Sequence, residues 1–189
     1  MVLPGAQLFP HAPLPLYIFE PRYRQMLSWS LEQDRMFCIA PMKPGISEAR
    51  TTDEFYHIVG LGLIRACVGR DDGTSHLVLQ GLARVRIVGF LQEKPFRIAE
   101  IRELASTPAP QNEREPLRAQ LLTLAATHLT SDEQTPAEVE SQLEQIDDPG
   151  VLADVVAHAC LHDAEKRQVI FEELDVAKRA ALLFTYLPT

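Results

Sequence analysis

The chain has 189 residues, enough for one large domain or two small ones, each with a core of its own. Hydrophobic residues at 46% and charged residues at 23% are ordinary for a folded chain and exclude wholesale disorder. The formal charge of −8 opposes a phosphate-binding surface, and no apolar run reaches the roughly 18 residues that a bilayer span requires.

In chain order, the first twenty residues hold Pro4, Pro10, Pro13 and Pro15, which predicts an extended segment with an interrupted edge strand. Glu20-Pro21 opens a helix, because proline at the first helical position gives up an N–H that has no helical partner. Tyr23, Met26, Leu27 and Leu31 form its apolar face. Phe37 to Ala40 reads as a short buried strand ending at Pro41, and polar Lys43 to Glu54, with Gly45, as a loop. Two long runs of strand-forming residues follow, Ile58 to Val68 and Leu77 to Phe90, separated by the turn signal Asp71-Asp72-Gly73. Gly81 marks a bulge or bend inside the second run. Lys94-Pro95 turns the chain into a last strand, Phe96 to Leu104. The pattern predicts an antiparallel meander curled into a small barrel.

Thr107-Pro108-Ala109-Pro110 is a boundary, since proline removes donors and disfavours helix in the residue before it. The expected division is a barrel with one helix over residues 1–106 and a helical subdomain over 107–189. In the second part, Asn112 with Glu115 makes a cap-like start, followed by Leu117, Leu121, Leu124 and Ala125 on one face. Thr135-Pro136-Ala137-Glu138 has the form of a capping box. Asp148-Pro149 starts a helix with Leu152, Val155, Val156 and Ala159 inward. Asp163 caps a segment running through Phe171 and Leu174, and Asp175 caps the last helix, with Val176, Ala180, Leu183 and Leu187 as its buried stripe.

Few constellations suggest chemistry. Glu20 sits at a helix start, where the dipole favours a carboxylate by about 0.3–1 kcal/mol. No second carboxylate or nucleophile accompanies it, so it is expected to pair structurally with Arg84 or Arg86 rather than to catalyse. Asp154, His158 and His162 share a helical face at spacings of four, but without further ligands they read as a polar stripe and not a metal site. Cys38, Cys67 and Cys160 are odd in number and widely spaced, which predicts free, buried thiols in a reducing cytoplasm and neither disulfides nor zinc. Met1 to Gly5 lacks the basic region of a signal peptide. The arginines at 65, 70, 84, 86 and 97 are scattered among apolar residues, with no basic run. Phe9, Leu14, Leu16, Phe19, Phe55 and Tyr56 are expected mostly in the core; any exposed subset would suit extended apolar peptides, and the 43–54 loop would border such a groove. The sequence singles out no binding residue.

Leu8-Phe9-Pro10 and Leu14-Pro15-Leu16-Tyr17-Ile18-Phe19-Glu20-Pro21-Arg22-Tyr23 are similar to the opening motif of the amino-terminal, substrate-binding domain of Lon proteases. Gly81-Leu82-Ala83-Arg84-Val85-Arg86-Ile87 resembles a later strand of that family. Leu152-Ala153-Asp154, and Gln168 with Glu172, Leu174, Asp175 and Arg179, resemble its helical end. The resemblance spans about residues 2 to 187 and implies an α+β fold, a PUA-like six-stranded β-barrel followed by a helical bundle. It implies capture of unfolded or tagged protein segments, by an adaptor, a holder or a regulator acting on a protease in trans. The helices would stabilise the barrel or mediate self-association. No GxxxxGK[S/T] and no glycine-rich serine segment occur, so a free-standing binder with no catalytic residue, cofactor or metal is expected. A PUA-like nucleic-acid-binding module and a cryptic hydrolase are the alternatives.

Overall fold

A computed structural model describes residues 1–129 and 141–188. The chain divides into two compact units, Met1–Leu104 and Ala105–Thr189. The first contains β1 (Val2–Leu3), β2 (Pro13–Ile18), α1 (Pro21–Glu32), β3 (Met36–Pro41), β4 (Ile58–Gly69), β5 (Ser75–Gln92) and β6 (Ile98–Leu104). The second contains α2 (Arg114–Leu129), α3 (Pro149–Cys160), α4 (Ala164–Glu172) and α5 (Val176–Tyr186), with a helical turn at 141–144. The fold is α+β.

The six strands form one sheet in the order β1-β3-β4-β5-β2, with β6 also on β5. The ladder is not a simple meander. β1 joins β3 in parallel, and β2 crosses to pair antiparallel with Ser75 to Gln80 of β5. It also does not return on itself, so the sheet is open where a closed barrel was expected. The ladder ends at β1 on one side and at β2 and β6, both on β5, on the other, and β1 offers only two residues for pairing.

β5 serves both halves of the sheet because of a bulge. Leu61 stands opposite Ala83 while Gly62 stands opposite Gly81, leaving Leu82 as the inserted residue. An inserted residue reverses the alternation of side chains. Leu77 and Leu79 therefore enter one core, with Leu8, Ile18, Met26, Leu27, Phe37 and Ile39. Val85 and Ile87, of the same parity, enter another, with Val2, Ala40, Phe55 and Val59. β3 divides its residues between the same two cores by plain alternation.

The Leu8-Phe9-Pro10 segment crosses the sheet over glycines. A Cβ added at Gly60 would be driven into the Leu8 carbonyl oxygen and lie 2.8 Å from Leu8 Cβ. Gly81 is covered in the same way by the Phe9 carbonyl, and its main chain is tied to the strap by His11 N–H donating to Gly81 O and Gly81 N–H donating to Ala12 O, both 2.9 Å.

In the helical unit, Asp148 caps α3 by accepting from Gly150 and Val151 N–H, Asp163 caps α4 by accepting from Lys166 N–H, and Asp175 caps α5 by accepting from Lys178 N–H. α4 ends at Glu172, short of Leu174, because Leu174 O accepts from Thr107 N–H at 2.8 Å and Thr107 O accepts from Val176 N–H at 3.0 Å. α2 starts at Arg114, later than Asn112 suggests, where Glu113 O accepts from Leu117 N–H. Ala159 is exposed rather than inward, since Leu152, Ala153, Val156 and Ala157 already fill the face of α3 that packs. The capping box at 135–138 lies outside the described residues.

Candidate functional site: an apolar cavity at the sheet opening

Among the described residues the open sheet leaves β1 with β3 as its only ladder neighbour and β6 with β5 as its only one. Between these one-sided strands lies a cavity of about 270 Å³. Its walls come from β1 and β3 (Val2, Phe37, Ala40), from α1 (Met26, Trp29) and from β6 with the segment before it (Phe96, Ile98, Ile101). Phe55 and Phe90 complete the wall, edge to face with ring centroids 6.2 Å apart. Trp29 and Phe96 lie at the rim with centroids 6.0 Å apart. Trp29 is 42% exposed and Ile101 38% exposed, so the apolar lining reaches solvent.

Buried hydrogen bonds set the frame. The Tyr23 hydroxyl donates to Val2 O at 2.9 Å and accepts from Val2 N–H at 3.2 Å, pinning β1 to α1. Burial pushes the Tyr23 hydroxyl pKa up, so it stays protonated and donating. On the far side, Arg97, just before β6, reaches across to the 43–54 loop. It donates from Nη2 to Arg50 O at 3.0 Å and to Ala49 O at 3.4 Å, with its guanidinium 5.3 Å from the Phe55 ring. A second hollow of about 820 Å³ adjoins, sharing Met26, Phe96 and Arg97 and bordered by Glu48, Ala49 and Arg50 of that loop.

The residues named from the sequence fall in several places. The Glu20 carboxylate pairs with Arg22 at 2.8 Å, two residues on, in place of the expected Arg84 or Arg86. Arg22 is already fixed next to it at the start of α1, whereas Arg84 is buried within β5 and Arg86 is exposed on the same strand. Asp154 is not on a solvated stripe: it is buried and accepts from Arg179 Nη1 at 3.2 Å. His158 is half-buried with Arg167 Nη2 3.5 Å from its Nδ1, and burial, then the Arg167 charge, lowers its pKa. His162 lies beyond the end of α3. Among the described residues no group of three or more His, Cys, Asp or Glu is placed to hold a metal ion.

The three cysteines are free and partly buried. Burial raises the Cys38 thiol and pushes Cys160 up to about 11, the opposite of what an attacking thiolate needs. Of the six apolar residues flagged near prolines and loops, Phe9 and Phe55 are buried, Leu14, Leu16 and Tyr56 are partly so, and Phe19 is 57% exposed. Trp29 escaped the sequence reading because it lies off the buried stripe of α1. The signal was there: a lone tryptophan on an otherwise polar helix face.

Over residues 1–189 the chain matches the family described as the ATP-dependent protease La (LON) substrate-binding domain. The chain belongs to this family. Among curated relatives, the Lon substrate-binding domain match extends to the Lon protease of Brevibacillus choshinensis, 24% identical over 98% of this chain and 24% of the relative. It extends also to the Lon protease of Syntrophus aciditrophicus, 30% identical over 90% of this chain and 22% of the relative. The chain thus spans about a quarter of the length of the Lon proteases it matches. The fold is that of the N-terminal domain of a Mycobacterium avium complex Lon protease, with a TM-score of 0.77 at 18% identity covering 99% of this chain and 95% of that one. A Lon N-terminal domain protein from Xanthomonas campestris gives a TM-score of 0.72 at 18% identity, over 99% and 97%.

Proposed function

We propose that this Lon-family domain recognises other polypeptides by surface complementarity, taking extended apolar segments into the cavity beside β6, and that it breaks no bonds in them. The observation that carries the reading is the cavity itself, apolar and rimmed by exposed Trp29 and Ile101, between two strands that each have a single ladder neighbour among the described residues. An extended segment gains main-chain hydrogen bonds from a strand edge and selectivity from a side-chain pocket. Family membership supports substrate recognition as the role, and the Cys38 and Cys160 thiols, raised by burial, argue against nucleophilic chemistry at those two residues.

On this reading the open sheet is an incomplete PUA-like barrel whose gap is the binding site. The work is that of an adaptor, a holder or a regulator of a protease in trans, in the cytoplasm, with unfolded or tagged protein segments as partners and neither nucleic acid nor membrane. The pairing of Glu20 with Arg22 locks the start of α1, a structural rather than catalytic duty.

Trp29 is the only tryptophan in the chain and stands at the rim, so its emission reports occupancy directly. Titration with a reduced, alkylated, tryptophan-free protein is expected to shift and saturate that emission, while the same protein folded does not. No change with the unfolded chain, or turnover of peptide or ATP by the purified domain, refutes the reading.

A further inference from the structure

The apolar cavity and the hollow beside it differ in chemistry. The hollow is lined by Arg22, Arg50, Lys94 and Arg97 against Glu48 and Glu93, a local excess of positive charge in a chain of net charge −8. Two of these cations are answered locally. Arg22 pairs with Glu20 at 2.8 Å, and Arg50 with Glu48 at 3.3 Å. Arg97 is not answered in the same way. Its terminal nitrogens reach main-chain carbonyls only, its Nε–H is enclosed without an acceptor, and it has no carboxylate partner among the described residues. A half-buried cation with no carboxylate within ion-pair reach favours an anion brought beside it, because water cannot fully screen it there.

Arg97 and Phe96 line both spaces, so a ligand that fills the cavity and sets an anion beside Arg97 carries the two groups on either side of one shared wall. In an extended chain, neighbouring side chains point to opposite faces and the next one on the same face is about 7 Å away. An internal apolar–acidic pair fits that demand poorly. A chain end meets it, since the last residue carries its side chain and its carboxylate on one Cα.

We propose that the two hollows bind the carboxyl terminus of an extended polypeptide, with the last, apolar side chain in the cavity beside Trp29 and the terminal carboxylate beside Arg97 and Lys94. This rests on the polypeptide-recognition reading above and specifies which part of the client is read. Charge chooses the end of the chain, and the apolar cavity chooses its last residue.

The test uses the full chain and a short, tryptophan-free, fluorescently labelled peptide ending in phenylalanine, prepared as free acid and as amide, with binding read by anisotropy. The free acid is expected to bind at least about tenfold more tightly than the amide, an advantage that shrinks as salt is added. A peptide ending in serine is expected to lose a similar factor. Lys94→Glu, at an exposed position, is expected to reduce the preference for the free acid severalfold without altering the fold, and Arg97→Gln to abolish it. Because Arg97 also holds the 43–54 loop, the acid-against-amide comparison on the unaltered chain decides the matter. Equal binding of acid and amide overturns this inference while leaving polypeptide recognition in place. So does an unfolded protein that shifts Trp29 emission when neither peptide binds. Failure of the peptides and of the unfolded protein alike removes both.

Discussion

Arg179 is the most informative residue to change in the helical unit. Its side chain is 1% exposed and holds three elements at once: Nη1 donates to Asp154 Oδ1 on α3 at 3.2 Å, Nη2 to Ser106 Oγ at 2.7 Å, and Nε to Glu173 O at 2.9 Å. At that separation the two charges attract by about 5 kcal/mol at an effective dielectric of ~20, offset by the cost of taking both out of water. Arg179→Met keeps the volume and removes the charge, leaving the Asp154 carboxylate buried at 4% exposure. Breaking such a pair costs about 3–5 kcal/mol, whereas replacing both partners by apolar residues is far milder. With a urea slope near ~2 kcal/mol/M, the midpoint should fall by roughly 2 M in Arg179→Met, followed by far-ultraviolet circular dichroism. Asp154→Leu should cost a similar amount. The double variant Arg179→Met/Asp154→Leu should recover at least about 2 kcal/mol relative to the sum of the singles. A midpoint shift under about 0.5 M in Arg179→Met, or strict additivity in the double variant, would refute the claim that this pair fastens α5 to α3 and to Ser106.

Three further outcomes follow from the geometry. Gly60→Ala should destabilise the sheet by about 3 kcal/mol or more in chemical denaturation, because the Leu8-Phe9 strap is tied down at Gly81 and cannot lift; a loss under about 1 kcal/mol would mean that it can. His158 has its pKa lowered by burial and by Arg167, so the unfolded chain takes up that proton first as pH falls. The stability it contributes is complete above the ordinary histidine value near ~6.5 and declines as pH drops from there toward the folded value; in His158→Gln that part of the pH dependence should vanish from a stability titration. Cys160, pushed up to about 11, should alkylate far more slowly than a free thiol at about pH 8, and reaction at the free-thiol rate would show that its burial is not maintained.

What could be read from the sequence was what depends on local pattern. The bulge at Gly81-Leu82 was signalled by a glycine between two alternating runs, and the caps at Asp148, Asp163 and Asp175 by their place before helical periodicity. The opening motif pointed to the family. What could not be read depends on distant parts meeting. Asp154 falls on the same helical face as His158 by spacing alone, yet its environment is set by Arg179 on another helix, and α3 stops before His162 can join. Glu20 found the cation beside it in sequence rather than one on a distant strand. The cavity is the clearest case. Val2 and Phe96 become neighbours around it only because β1 turns back onto β3 and β6 returns along β5, a pairing no window of sequence contains. The open ladder has the same origin: strand-forming residues announce strands, but which of them pair is set by contacts between distant parts of the chain.

The cavity beside β6 is the proposed seat of other chains. Ile101 lines it and is 38% exposed, while Val169 on α4 is 45% exposed and lies in the other unit. The decisive measurement is the affinity for an unfolded, apolar polypeptide of Ile101→Glu and Val169→Glu, each with its thermal midpoint. Placing a carboxylate in the cavity wall should weaken binding at least about tenfold with the midpoint preserved, and Val169→Glu should leave binding unchanged. Equal affinities for both variants and the unaltered chain would show that other chains are held elsewhere.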